Sequence, residues 1–139
     1  MPVSGIHMTD VLLVEDDDIF RLTLRKILES KFPSLNLDEA VDGEEALVKI
    51  NDRTPDLVFM DIKLPGENGL EITRRLKDLY PGLVVIILTS HDLPEYRQAA
   101  YARGANHFLS KHSSTTKEIL GLVETITSDP EDPRAGCPK

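Results

Sequence analysis

The sequence predicts an open, doubly wound α/β fold: five parallel strands in the order 2-1-3-4-5, with helices on both faces. Three observations predict it. Short apolar runs of strand length alternate five times with helical patterns, as in a parallel sheet covered on both sides. Five strand–helix units are too few for an eight-stranded barrel, so the sheet stays open. The second strand is polar, which suits an edge, and the flavodoxin-like strand order puts it there.

Each element has its own signal. Val11-Leu12-Leu13-Val14 is a continuous apolar run closed by Glu15-Asp16-Asp17-Asp18. Ile19, Phe20, Leu22, Leu24, Ile27, Leu28 and Phe32 then recur at helical spacing, with Arg21, Arg25, Lys26 and Glu29 between them, until Pro33 ends the helix. Leu35-Asn36-Leu37-Asp38-Glu39-Ala40 alternates as a more exposed strand does, and Asp42-Gly43-Glu44-Glu45 opens a short helix carrying Ala46, Leu47 and Ile50. Leu57-Val58-Phe59-Met60 is a fully apolar strand ending at Asp61. A loop with Pro65, Gly66 and Gly69 leads to a helix containing Leu70, Ile72, Leu76 and Leu79, stopped by Tyr80-Pro81-Gly82. Leu83-Val84-Val85-Ile86-Ile87-Leu88 is the strongest strand and ends at Thr89-Ser90. A helix is predicted over 93–103, with Gly104 where a C-cap belongs. His107-Phe108-Leu109 is a brief strand ending at Ser110-Lys111, and 116–126 forms the last helix, with Ile119, Leu120, Leu122, Val123 and Ile126 as its buried face.

The chain has 139 residues, enough for one domain. Residues 10–127 are read as that domain. Residues 1–9 carry no periodic signal and are read as a disordered N-terminus or a tag remnant around Ser4-Gly5-Ile6-His7-Met8. Residues 128–139 contain Pro130, Pro133 and Pro138 and no core former, and are read as a disordered tail or linker. Hydrophobic residues make up 40% and the net charge is −8. That balance argues against binding a nucleic-acid backbone or an anionic membrane surface. No apolar run reaches spanning length and no signal peptide precedes the first strand. A single cysteine, Cys137, offers no internal disulfide and no zinc pair, so a reducing cytoplasm is the expected location.

Ligands of open α/β sheets bind outside the carboxyl ends of the strands. Strand one ends in Glu15-Asp16-Asp17, strand three in Asp61, strand four in Thr89-Ser90 and strand five in Lys111. In the order 2-1-3-4-5 these strands are neighbours, so the fold gathers carboxylates, a hydroxyl and an ammonium into one pocket. Clustered carboxylates repel unless a cation compensates. Oxygen ligands without His or Cys select a hard cation, and Mg²⁺ fits best. Asp61, at the centre, has the chemistry of a nucleophile that forms an aspartyl phosphate. The phosphoryl oxygens would then be neutralised by the metal, the Lys111 ammonium and the Thr89 hydroxyl. Taken singly, each residue has an ordinary reading: Asp17 or Asp18 as a helix N-cap, Asp61 as a turn residue, Thr89 and Lys111 as solvated strand ends. Their convergence at adjacent strand ends outweighs those readings.

With those residues in place, the sequence resembles the receiver domain of two-component response regulators. The resemblance rests on Leu12-Leu13-Val14-Glu15-Asp16-Asp17, on Met60-Asp61-Ile62-Lys63-Leu64-Pro65-Gly66-Glu67-Asn68-Gly69-Leu70, on Leu88-Thr89-Ser90, and on Gly104-Ala105-Asn106-His107-Phe108-Leu109-Ser110-Lys111. It covers about residues 9–127. It implies Asp61 as phosphoacceptor, and Mg²⁺ held by Glu15, Asp16, Asp61 and the Lys63 backbone carbonyl, with Asp16 a direct ligand and Glu15 acting through water. It implies Thr89 as the switch hydroxyl, Lys111 as the phosphate-binding lysine, and Phe108 as the switch aromatic that turns inward when Thr89 moves. The implied donor is a sensor histidine kinase or a histidine phosphotransfer protein. The implied output is a downstream protein or a domain beyond Lys139, through the surface of helix four, strand five and helix five; a phosphorylation-dependent dimer is one form it could take. No direct nucleic-acid or membrane contact by this chain is expected, and no enzymatic activity beyond self-catalysed phosphorylation and dephosphorylation of Asp61.

Two departures from the family pattern stand out. Proline usually follows the lysine, often after a cis bond, and here the residue is His112. A cis bond without proline costs about 2.5–4 kcal/mol, so a trans or a strained loop is expected. Phe108 lacks the hydroxyl of the tyrosine common at its position. Leu93-Pro94-Glu95-Tyr96-Arg97-Gln98-Ala99-Ala100-Tyr101 looks like receivers that precede helix-turn-helix domains of the LuxR/NarL type. Other readings fit less well. A flavin carrier would have a Ser/Thr/Gly-rich loop after strand one, where this chain is acidic. A haloacid-dehalogenase-type phosphatase would have Asp where Lys63 stands. A stand-alone phosphorelay intermediate and a protein-binding pseudo-receiver remain as alternatives. His91, His107 and His112 have no metal-ligand spacing and are read as surface or loop residues.

Overall fold

The computed structural model describes residues 9–127. The terminal segments 1–8 and 128–139, with Cys137, lie outside the described residues. The chain alternates strand and helix throughout: β1 (Asp10–Val14), α1 (Asp18–Lys31), β2 (Asn36–Ala40), α2 (Gly43–Asp52), β3 (Leu57–Met60), α3 (Gly69–Leu79), β4 (Val84–Thr89), α4 (Pro94–Ala102), β5 (His107–Ser110) and α5 (Thr116–Thr127). All strand pairs are parallel and the order is β2-β1-β3-β4-β5, as the sequence predicts.

Strand side chains alternate between two cores, because successive residues of a strand point to opposite faces. Leu12, Val14, Val58, Met60, Val85 and Ile87 pack with Ala46 and Ile50 of α2, Ile72 and Leu76 of α3, and Ala100 of α4. Val11, Leu13, Leu57, Phe59, Ile86 and Leu88 pack with Leu24 and Leu28 of α1 and Ile119 and Val123 of α5. The helices thus cover both faces, and the strand ends are left to carry polar groups. Helix starts follow their sequence signals. Asp17 caps α1 by accepting from the N–H groups of Ile19 and Phe20, Asp42 caps α2 and Asn68 caps α3. Gly104 follows α4 at φ +99°, a conformation that suits glycine.

Side-chain burial departs from the apolar pattern in two helices. Ile19 and Leu22 match the helical pattern of α1 but are 80% and 51% exposed. At about 100° per residue, the face of Phe20, Leu24 and Leu28 turns both away from the sheet. In α5 the buried face is narrower than predicted: Ile119 and Val123 are buried, whereas Leu120, Leu122 and Ile126 are half-buried at its margin.

Candidate functional site

The carboxyl end of the sheet assembles the polar residues that follow its strands. Ladder hydrogen bonds continued one residue past the strands hold them there. Glu15 N–H donates to Ala40 O at 2.9 Å, Asp61 N–H to Val14 O at 3.2 Å and Lys111 N–H to Thr89 O at 2.8 Å. Glu15, Asp61 and Thr89 are 4%, 6% and 0% exposed, while Asp16 is exposed. Ligand oxygens of Glu15, Asp16 and Asp61 all lie within 4.8 Å of one another.

Lys111 joins this cluster from β5. Its Nζ lies 2.6 Å from Glu15 Oε1 and 3.1 Å from Asp61 Oδ2. The ammonium also sits 4.3 Å from the centroid of the Phe20 ring, on the first turn of α1, a favourable cation–π arrangement. The remaining oxygens are partly satisfied by the main chain. Asp61 Oδ1 accepts from Ile62 N–H at 2.7 Å and Glu15 Oε2 from Asp17 N–H at 3.0 Å. Burial pushes the Glu15 carboxyl up to about 7, against the lowering effect of its hydrogen bonds to Lys111 and Asp17, and the Asp61 charge adds to the rise. Burial also pulls the Lys111 ammonium down, but its hydrogen bond to Glu15 and the charges of Asp61 and Glu15 outweigh that and hold it above its ordinary value.

The loop after Asp61 is shaped by glycine. Gly66 has φ +82°, and a Cβ at Gly69 would stand 1.9 Å from the Asp61 carbonyl oxygen. Gly69 N–H donates to Ile62 O at 2.7 Å, so the start of α3 presses directly on the backbone of Asp61. Within this loop Lys63 pairs with Asn68 in an isolated antiparallel bridge, and its side chain is exposed.

Thr89 lies at the end of β4, where its Oγ1 accepts from His91 N–H at 3.1 Å. The His91 ring meets Tyr96 of α4 edge-on at 5.7 Å. Phe108 differs from the expectation. An aromatic that turns inward needs an exposed starting position, but this ring is already 4% exposed, packed in the core beside Ile87 and Ala100. The Arg97 guanidinium covers it at 4.8 Å. No peptide bond among the described residues is cis, so the chain runs trans through Lys111–His112. Residue-by-residue reading missed three contributors: Phe20 beneath the ammonium, Arg21, whose Nη1 donates to Glu15 O at 2.6 Å, and Ser110. Phe20 and Arg21 follow the acidic run by two and three residues, within the first turn or so of α1, a spacing that offered a signal. The contacts of Ser110 with another loop offered none.

The donor set fits a hard cation: three carboxylates from two adjacent strand ends, with neither His nor Cys among them. Among the described residues, no helix is long and apolar enough to cross a membrane.

Fold and site together define a class. The family model of the response regulator receiver domain matches residues 11–124, and the chain belongs to that family, a signalling domain of two-component systems. Among particular relatives, it is 45% identical over 117 residues to the transcriptional activator protein ExaE of Pseudomonas putida, covering 84% of this chain and 54% of that protein. It is 39% identical over 118 residues to the chemotaxis protein CheY of Halobacterium salinarum, covering 85% and 97%. The chain thus spans about half the length of the first relative and nearly all of the second. The crystal structure of a LuxR-family two-component response regulator from an Aurantimonas species superposes with TM-score 0.79 at 29% identity, over 93% of this chain and 95% of that one.

Proposed function

We propose that the chain accepts a phosphoryl group on Asp61, with Mg²⁺, and thereby changes the surface of α4, β5 and α5. The observation that carries this reading is the Lys111 ammonium held between the buried carboxylates of Glu15 and Asp61, with Asp16 beside them. A carboxylate oxygen of Asp61 attacks phosphorus. The bond to the donor, a phosphohistidine of a kinase or phosphotransfer protein, breaks with its electron pair, and the released imidazole nitrogen takes a proton. Lys111 supplies a positive charge for the phosphoryl oxygens, and Thr89 a hydroxyl that can donate to one of them. Glu15, Asp16, Asp61 and the Lys63 carbonyl would hold Mg²⁺, which when bound neutralises phosphoryl charge.

The output is proposed to run through a partner protein or a further domain. The Pseudomonas putida relative, named a transcriptional activator, is about twice the length matched, and the Halobacterium relative, named a chemotaxis protein, is about the length of this domain. The test is incubation with acetyl phosphate and Mg²⁺, read by intact mass. One phosphoryl group is expected on the wild type and none on Asp61→Asn, because an amide is no nucleophile. Undiminished modification of Asp61→Asn would place the acceptor elsewhere.

A further inference from the structure

The turn after β5 is organised around one side chain that the phosphoryl chemistry does not touch. Ser110, the last residue of β5, is 3% exposed. Its hydroxyl donates to Asp92 Oδ2 at 2.8 Å and accepts from the N–H groups of His112 at 3.1 Å and Ser113 at 3.3 Å. Its carbonyl accepts from Ser114 N–H at 2.9 Å. A hydroxyl has one hydrogen and two lone pairs, so giving the hydrogen to the Asp92 carboxylate turns both lone pairs toward the two amides. The bond from His112 requires an N–H that a proline at this position would lack.

Lys111 lies inside this set of contacts. Its own N–H is tied to Thr89 O at 2.8 Å on one side, and the turn that follows it is tied to Ser110 on the other. Asp92 belongs to the loop between β4 and α4, which also carries His91, the residue whose N–H reaches Thr89 Oγ1. One buried hydroxyl therefore joins the loop behind Thr89 to the turn that aims Lys111.

We propose that Ser110 is a positioning residue: together with Asp92 it fixes the backbone from which Lys111 reaches Glu15 and Asp61. The inference rests on the proposed function, because a fixed ammonium matters most where it must meet phosphoryl oxygens. Lysine is a flexible stem with a point charge at its tip, and a small misplacement of a charged group at a reacting centre carries a large loss of rate. A rigid turn at its base removes part of that freedom.

The test compares wild type, Ser110→Ala, Ser110→Thr, Asp92→Ala, Lys111→Ala and the Ser110→Ala/Lys111→Ala pair. The rate of Asp61 modification by acetyl phosphate with Mg²⁺ is measured, with thermal unfolding alongside. Ser110→Ala should slow the reaction about five- to tenfold and Asp92→Ala, an exposed change that leaves the core intact, about two- to threefold. Ser110→Thr keeps the hydroxyl and should restore the rate to within about twofold. In the Lys111→Ala background the loss of Ser110 should add nothing, since no ammonium remains to be placed. An equal slowing in that background would reveal a general loosening of the fold and overturn the proposal. Unchanged rates in both Ser110→Ala and Asp92→Ala would overturn it too. NMR of the lysine ammonium nitrogens gives a second readout: the Lys111 signal should shift or broaden in Ser110→Ala and return in Ser110→Thr. If the wild type takes no phosphoryl group at Asp61, the proposed function falls. The ammonium signal then decides by itself, and its indifference to Ser110→Ala would refute the positioning role.

Discussion

Lys111 Nζ lies 2.6 Å from Glu15 Oε1, although the two residues follow strands separated in the sheet by β3 and β4. The same Nζ lies 3.1 Å from Asp61 Oδ2, at the end of β3, so one ammonium bridges carboxylates from two strand ends. One half-buried ammonium therefore offsets the repulsion between two buried carboxylates.

Removing that ammonium should make the cluster depend on metal. Lys111→Ala is expected to lower stability by about 1–3 kcal/mol, because it strips a charge partner from buried carboxylates. Glu15, already raised to about 7 by burial, limits the loss by taking up a proton. Mg²⁺ should then raise the melting temperature of Lys111→Ala more than that of the wild type, since no ammonium competes for the carboxylates. Thermal unfolding with and without Mg²⁺ checks this, and an equal response in both chains would count against shared carboxylates.

Mg²⁺ itself should bind weakly to the wild type, with a dissociation constant of about 1 mM, or −4 kcal/mol, because few protein ligands are offered. Amide shifts of Asp16, Asp61 and their neighbours should move together in a titration. Asp16→Asn should weaken binding several-fold without unfolding the chain, since Asp16 is exposed. A titration that leaves these amides still would remove the metal assignment.

Gly69→Ala should damage Asp61 through its backbone. The new Cβ would stand 1.9 Å from the Asp61 carbonyl oxygen, so either the start of α3 or the Asp61 peptide has to move. A cost of about 1–3 kcal/mol or more is expected from such overpacking, together with slower phosphorylation. Urea unfolding and the acetyl phosphate assay measure the two effects; a variant as stable and as reactive as wild type would contradict the contact.

A charge cluster between α1 and β2 should make stability depend on pH. Arg21 and Arg25 reach Glu39 at 2.6 Å and 2.5 Å, and the Arg21 hydrogen bond foremost, joined by that of Arg25, holds its carboxyl below the ordinary 4.5. A depressed carboxyl contributes stability that is fully present above the unfolded value and is lost as pH falls through the folded one. Because the pair is solvent-accessible, the contribution should be at most about 1 kcal/mol. Glu39→Gln should lose it at pH 7 and match wild type in acid below both values; a gap that persists there would point to packing instead.

Activation should be visible as a displacement of Arg97. Phe108 is already buried beneath that guanidinium, so a change behind Thr89 has to move the ring and its cover together. With beryllofluoride standing in for the phosphoryl group on Asp61, shifts are expected over 93–111 in the wild type. In Thr89→Ala the analogue should still bind while those shifts shrink, as in a two-state element that has lost its trigger. An unchanged face in the activated wild type would leave a phosphate acceptor without this switch.

Much of this was legible in the linear chain. Apolar runs such as Leu57–Met60 mark buried strands whatever their neighbours, and parallel order brings their carboxyl ends together, so Glu15, Asp16, Asp61, Thr89 and Lys111 could be named as one group from spacing and topology. Direction and contact could not. Periodicity counts apolar residues on a helix without saying where its buried face stops, which is why Ile19 and Leu22 share the helical pattern of α1 and yet stand in solvent. The burial of Phe108 beneath Arg97, the clasp of Glu39 by two arginines and the hydroxyl of Ser110 shared between two loops all join residues from different elements. Such contacts depend on side-chain rotamers and on how far helices settle against the sheet, quantities that only the packed tertiary structure sets.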